Sequence, residues 1–375
     1  MKRKFLQPRL LAALTLWSAF LTSVASAAVP AITAATLRDG KLMIAGSNFG
    51  DKQTPGPYRF WTFASDADGT SSTAAGFDFY NSGESIATVV SGDGVGGKAL
   101  KFTAKGVGLA SDAGKFPMIG ETLPQGTMGV LCSVWFKLHR QGPTVSGGTL
   151  QWKGPRTGVY SSNPSSPEQN YAASPHLSAS VFTAPDFVWA SGVNSSGFNS
   201  YIDYEFPGAG SAAFNSPDPG LALDKWFHWE VWYKFNDLGA ANGEMIHTLN
   251  GKEIARLSNL RNRTASEQSL QHIIVLTGLA FLQNRDWDIY MSRVYLDTTK
   301  SHVFVCDSES LTGFSGRFVL PPTAWNMGSI EISDVTGVPA GYKWLYVSNS
   351  AGETNATGFP LAAGSIPMPP VATVD

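Results

Sequence analysis

Apolar and polar positions alternate along most of this chain with a period of two, as they do in strands whose successive side chains face opposite ways. The clearest run extends from Trp226 to Asn236. One set, Phe227, Trp229, Val231, Tyr233 and Phe235, is wholly apolar and predicts a face turned to a core. The other, Trp226, His228, Glu230, Trp232 and Lys234, mixes indoles with an acid, a base and an imidazole. That mixture suits a wet groove holding something flat and hydroxylated. Shorter alternating runs recur at 60–63, 76–80, 96–102, 128–139, 149–153, 176–193, 200–206, 245–257, 272–282 and 288–296, punctuated by Gly, Pro, Asn and Ser. None carries a helical period with caps, so the pattern predicts an all-β protein.

Two tight turns are legible within this pattern. Asp39-Gly40 and Asn250-Gly251 each separate alternating runs, and both pairs tolerate the positive φ of a two-residue hairpin. The strand pair around Asp39-Gly40 ends in Gly46-Ser47-Asn48-Phe49-Gly50. It resembles the opening of an IPT/TIG domain, an immunoglobulin-like sandwich. The complementary later strands are not adjacent; similar ones run from Val303 through Ser329-Ile330-Glu331-Ile332 to Gly358-Phe359-Pro360. The expectation is a discontinuous small sandwich made of residues 31–57 and 301–363, with a larger domain at 58–300 between its halves.

In that larger stretch the segments Gly97-Lys98-Ala99-Leu100-Lys101, Val134-Trp135-Phe136-Lys137, Lys225 to Val231 and Trp287 to Asp297 carry a second resemblance. It is to concanavalin A-like jelly rolls of the laminin-G or polysaccharide-lyase kind. This resemblance implies an all-β, concanavalin A-like jelly-roll β-sandwich beside the smaller immunoglobulin-like one. It also implies a concave sheet face on which saccharides lie. Residues expected on such a face are Trp226, His228, Glu230, Trp232, Lys234, Tyr201, Asp203, Trp152 and Arg156. Indoles bury the C–H face of a sugar while Asp, Glu, Gln and Lys fix its hydroxyls.

Two carboxylates can also cut a glycosidic bond when they stand ~5–9.5 Å apart. Asp203, Glu205 and Glu230 are the candidates, with His228 and either Tyr201 or Tyr204 as an acid/base pair if the chain is an enzyme. The glucanase signature E-x-D-x-x-E is absent, and R-x-E-x-R, Q-x-H and Y-x-K-x-G-x-Y of the uronate lyases are not matched. The sequence therefore favours a polysaccharide binder, with a lyase or hydrolase of acidic polymers, or an adhesive surface protein, as alternatives.

Composition narrows the partners further. The 27 basic and 29 acidic residues nearly balance, and no basic stripe for nucleic acid is present. Met1-Lys2-Arg3-Lys4, the apolar stretch 10–24 and Ala25-Ser26-Ala27 read as a signal peptide over 1–27, with an extracellular or periplasmic destination. No later run is long enough to span a bilayer, and the Pro- and Ala-rich residues 364–375 are expected to be disordered. Cys132 and Cys306 can pair after export or stand as buried thiols. Asp66, Asp68, Asp78, Asp286, Asp288 and Asp297 offer the hard oxygens a structural Ca²⁺ takes, but Asp equally stabilises turns. No cofactor or metal is assigned. The small sandwich is expected to act as a stalk or as a contact for a surface protein.

Overall fold

The computed structural model describes residues 28–81, 87–104, 118–141, 149–153, 155–160, 171–180, 199–201, 212–213, 224–261, 263, 266, 269–276, 279–280, 287–312 and 316–361. The leader and tail expectations, Asp203, Tyr204, Glu205 and Asp286 lie outside them. The strands of the described residues form four antiparallel sheets, arranged as two sandwiches.

The larger sandwich occupies the stretch expected to form a jelly roll. Its first sheet has eight strands. Seven run in spatial order Lys252–Leu260, Gly243–Leu249, Trp226–Lys234, Gly129–Arg140, Trp287–Asp297, Gly97–Ala104 and Thr88–Gly94. Arg59–Trp61 pairs with the far half of Trp287–Asp297. The second sheet, of nine strands, includes Tyr171–Ser180, Arg156–Tyr160, Ser269–Leu276 and Met118–Thr122 as its central run. The two are joined by a core in which Phe227, Trp229, Val231, Tyr233 and Phe235 of one sheet meet Ile119, Leu270, Ile273 and Val275 of the other. The period-two apolar set of Trp226–Lys234 and the residue after it is thus the glue between the sheets. Trp229 is fully buried, its Nε1–H donating to His247 Nδ1 at 3.3 Å. Tyr233 crosses to the second sheet and donates its hydroxyl proton to the Pro155 carbonyl at 2.7 Å.

In the smaller immunoglobulin-like sandwich, the hairpin Ala31–Arg38 and Lys41–Ser47 pairs with Ser329–Ile332, which pairs with Pro322–Trp325. The opposing sheet is Phe318–Leu320, His302–Cys306, Trp344–Ser348 and Phe359–Pro360. Leu42, Ile44 and Phe49 pack against Val303, Val305, Phe318, Ile330, Leu345 and Val347. At the Asp39-Gly40 turn both residues have positive φ, 52° and 78°, which closes the two-residue hairpin. Gly46 is held to glycine by its neighbours. A Cβ there would lie 2.1 Å from the Ala31 carbonyl oxygen and 2.5 Å from the Phe49 ring.

The two sandwiches share a third apolar cluster: Leu131, Trp232 and Tyr295 from the larger, Phe304, Cys306, Val319 and Tyr346 from the smaller. Phe304 and Tyr346 stack at 5.1 Å. Strand His302–Cys306 is buried on both faces. Val303 and Val305 enter the small core, while Phe304 and Cys306 turn to the junction. Arg293 adds a pin. At a bulge between Ser292 and Tyr295 it takes a φ of 46°, lays its guanidinium 3.7 Å from the Phe318 ring centre and donates to the Val319 carbonyl at 3.2 Å. Burial pushes that guanidinium down to about 9.

Phe136 is fully buried between the sheets of the jelly roll, packing beside Phe227 and Trp229. Phe136→Ala is expected to cost ~3–5 kcal/mol through lost transfer energy and the cavity left behind. Urea unfolding followed by tryptophan fluorescence measures it, with a midpoint shifted to lower urea.

Candidate functional site

Strand Trp226–Lys234 lies between Gly129–Arg140 and Gly243–Leu249, hydrogen-bonded to both. Its mixed face, expected to line an open groove, is instead the seat of the small sandwich. His228 is 0% exposed and Glu230 6%. Their cover comes from the segment around Gly316, where a Cβ would fall 2.5 Å from the Trp135 indole and 3.0 Å from His228 Cβ. Only glycine allows the chain so close. The Trp135 Nε1–H donates to the Arg317 carbonyl at 3.2 Å. Trp232 is likewise closed over, at 8% exposure, while Trp226 and Lys234 at the strand's two ends stay half-buried. The physical reason for the correction is that alternation distinguishes two faces without saying which solvent or protein covers the less apolar one.

Charge burial on this face is organised around Glu230. Its Oε1 accepts from Arg317 Nη1 at 2.5 Å, and its Oε2 lies 3.8 Å from His302 Nε2. Burial works to raise the Glu230 carboxyl, yet Arg317, then His302 and His228, hold it below its ordinary range. Burial pushes His228 down to about 3 against the opposite pull of Glu230, and it lowers His302 against the same pull. At neutral pH Glu230 is therefore an anion between two neutral imidazoles. His228 Nε2 bonds Ser133 Oγ at 2.7 Å. His302 Nδ1 faces the Lys300 carbonyl at 2.8 Å and must carry the proton, so Nε2 bears a lone pair.

The junction has two openings. At the Trp232 end a polar cavity of about 310 Å³ is lined by Glu230, Trp232, Glu244, Lys300, His302 and Arg317, among others. There Glu244 accepts from Trp232 Nε1 at 3.1 Å, Lys300 Nζ at 2.5 Å and Arg256 Nη1 at 2.7 Å. At the Trp226 end a mostly apolar cleft of about 490 Å³ lies between Trp135, Trp226, Pro339 and Tyr342.

The other expected site residues lie on the second sheet. Tyr201 closes strand Asn199–Tyr201, and His228 belongs to the opposite sheet, facing away from the core between them. The two residues therefore stand on different sheets. Arg156 pairs with Ile274 and Gly158 with His272, one residue out of phase with the core pair Thr157 and Ile273. Their positions thus belong to the outer face of the nine-stranded sheet, on which His272 is itself buried at 4% exposure. On the same parity are Thr122 opposite His272, Tyr201 opposite Ser174, and Lys153 and Gln151 opposite His176 and Ser178. Trp152, opposite Leu177, has the other parity and does not join Arg156. His272 was passed over for want of a spaced Gln. A bulge beside it shifts the register between Gly158 and Val159, and no strict period of two signals such a shift.

Both cysteines are free and buried. Cys132 belongs to the core of the large sandwich and Cys306 to the junction, and burial raises both thiols, Cys306 to about 11. The described acidic candidates for an ion have protein partners. Asp297 accepts from Lys52 at 2.6 Å and Tyr295 at 2.8 Å, Asp288 from Thr103, Gln141 and Lys101, Asp68 from Ser91, and Asp78 from the Thr122 amide. The Asp66 carbonyl accepts from Lys98. Among the described residues no three metal-ligating side chains converge. No helix there is long and apolar enough to cross a membrane.

No family model matches this chain, and no curated protein does. Among solved structures it is similar to an endo-β-1,4-glucuronan lyase from the fungus Trichoderma reesei, with a TM-score of 0.44 at 11% identity over 65% of this chain and 96% of that one. It is similar to the alginate lyase Aly36B at 0.44 and 15% identity, over 65% and 97% of the two chains. A third is the cellulose induced protein Cip1, at 0.37 and 10% identity over 64% and 97%.

Removing Arg317 would leave Glu230 a buried, unpaired anion. Arg317→Ala is expected to lose ~3–5 kcal/mol, and Glu230→Gln in the same chain to recover part of it; a double-mutant cycle in urea reads the coupling. The pH dependence has a definite sign. His228 and His247 are both held near pKa 3 by burial while the unfolded chain protonates near 6.5. Their stabilising contribution is full above ~6.5 and falls as the pH drops toward 3, by about 2 kcal/mol each between pH 7 and 5. Glu230, lowered in the fold, adds a loss below its unfolded value near ~4.5. Urea midpoints at pH 7, 6 and 5 should decrease in that order.

Proposed function

We propose that this protein binds an acidic polysaccharide on the outer face of the nine-stranded sheet. The observation that supports this most is the register itself. It gives one face the positions of Arg156, His272, Lys153, Gln151 and Tyr201, drawn from four strands. Cationic and amide donors there suit carboxylates and hydroxyls of a uronate chain, and a phenol adds a flat surface. The indole-rich face of the other sheet is closed by the small sandwich and cannot take a polymer along its length. The small sandwich, read as IPT/TIG-like, then serves as a buttress on the jelly roll, and its outer surface is free to contact a surface protein. Residues 1–27, read as a leader, support a destination outside the cytoplasm.

A second reading is supported by one pairing. His272 stands opposite Gly158, beside the position of Arg156. A base next to a cation that neutralises a uronate carboxylate is the arrangement β-elimination requires. The solved lyases of glucuronan and alginate supply the polymers for the test.

Affinity electrophoresis in gels containing alginate, glucuronan or cellulose, with parallel ultraviolet scans for unsaturated chain ends, separates the readings. Retention by the acidic polymers without new absorbance is the expected result for a binder. Retention with absorbance assigns a lyase. Arg156→Ala and Lys153→Ala should each weaken retention about tenfold, ~1.4 kcal/mol, with unchanged melting curves. Unaltered retention in both variants overturns the proposed surface.

A further inference from the structure

The polar cavity at the junction of the sandwiches holds two buried acceptors that face each other with nothing to accept from. Glu230 Oε2 and His302 Nε2 lie 3.8 Å apart, and neither has a hydrogen-bond partner in the protein. The Glu230 side chain is 7% exposed and that of His302 4%. His302 Nδ1 holds the ring's proton against the Lys300 carbonyl, so Nε2 offers a lone pair, and Glu230 is an anion. An acceptor buried without a donor costs ~1–3 kcal/mol, more when charged. Two of them side by side, both closed to water and belonging to side chains that line a 310 Å³ cavity, mark a place that a ligand bringing donors would complete once those side chains turn toward it.

The rest of the wall says which ligand. Trp232 gives it an indole, while Thr248, Ser348 and Thr354 add hydroxyls that can give or accept. Most of its charges are matched: Glu244 by Lys300 and Arg256, Glu253 by Arg256, Glu230 by Arg317, while Glu353, a further wall residue, stands outside these pairs. An anionic ligand would meet the unpaired Glu230 oxygen, and a cationic one would meet Lys300 and Arg317. A divalent metal would find only His302 and Glu230, because no third ligating side chain joins them among the described residues. What remains is a neutral molecule whose hydroxyls both donate and accept and whose apolar face can rest on an indole. The volume stands at the lower end of small-molecule pockets, ~300–1,000 Å³. That is room for a single sugar ring and not for a polymer.

We propose that the junction cavity is a second binding site, for one neutral sugar unit, in which neighbouring hydroxyls of the ring donate to Glu230 Oε2 and His302 Nε2 while its C–H face lies against Trp232. This site is separate from the polysaccharide face and stands whether or not that reading holds. Because its walls come from both sandwiches, occupancy also ties one to the other.

The test is calorimetric titration of the full chain with D-glucose, D-galactose and D-mannose, and with D-glucuronate, methylammonium and Zn²⁺ as the anionic, cationic and metal probes. Saturable binding of at least one neutral sugar, with a rise in melting temperature, is expected. Glu230→Gln should weaken it about tenfold, ~1.4 kcal/mol. Since that change touches a buried pair, Ala351→Trp provides an independent variant. Ala351 is an exposed residue at the cavity's edge, and a bulky side chain there should block entry without altering the melting curve of the unliganded protein. Failure of all three neutral sugars to titrate overturns the proposal. So does binding that persists in Ala351→Trp, or tighter binding of glucuronate, methylammonium or Zn²⁺ than of any neutral sugar.

Discussion

The ion pair between Glu230 and Arg317 determines how the two sandwiches sit. A carboxylate taken out of water must be paired or it must be neutralised, and Glu230 lies in the middle of a sheet face where the imidazole its own sandwich supplies, His228, is neutral. Its cation comes from the other one, 87 positions further along the chain. The approach that makes the 2.5 Å contact possible needs Gly316 beside Trp135 and His228. Around this pair the apolar cluster of Trp232, Tyr295, Phe304 and Tyr346 excludes water, which makes the pairing obligatory. Burial and charge thus enforce one another. Separating the sandwiches would rehydrate an anion but expose the cluster, and neither loss compensates the other.

This arrangement redistributes roles among faces that look alike in composition. In the jelly roll, the eight-stranded sheet is covered on both sides over much of its area, by the core within and by the small sandwich without. The nine-stranded sheet is covered by the common core on its inner side. A tryptophan-rich strand is therefore the structural centre of the molecule; burial keeps its His228 neutral, and Arg317 keeps its Glu230 ionised against burial, so neither changes charge near neutral pH.

How far the sequence could be read follows from which contacts are local. The division of Trp226 to Phe235 into two faces was legible because it depends only on strand pleat, and the turns at Asp39-Gly40 and Asn250-Gly251 because positive φ is written in residue type. The all-β class followed in the same way. The partner of the mixed face was not legible, since Gly316, Arg317 and His302 are remote and carry no period that refers to Glu230. One clue was present. His302-Val303-Phe304-Val305-Cys306 does not alternate, and a strand apolar on both faces needs two covers. The outer-face position of His272 escaped because a bulge, invisible to a strict period of two, resets the register beside it.

The small sandwich is assembled from the two ends of the described chain. Lys41 and Glu331, joined at 2.6 Å, are 290 positions apart, and Leu42 pairs with Ile332 across the same gap. The hairpin Ala31–Arg38 with Lys41–Ser47 is made first during synthesis, yet its neighbour strand arrives only after the whole jelly roll. Until then it presents an unpaired edge, with Leu42 and Ile44 as uncovered apolar surface. Closing such a loop is costly in a disordered chain and far cheaper once the intervening residues are compact. The jelly roll therefore acts as a template in time as well as in space: its completion brings Lys41–Ser47 and Ser329–Ile332 near enough to pair, so the last sandwich to form reports that the first is intact.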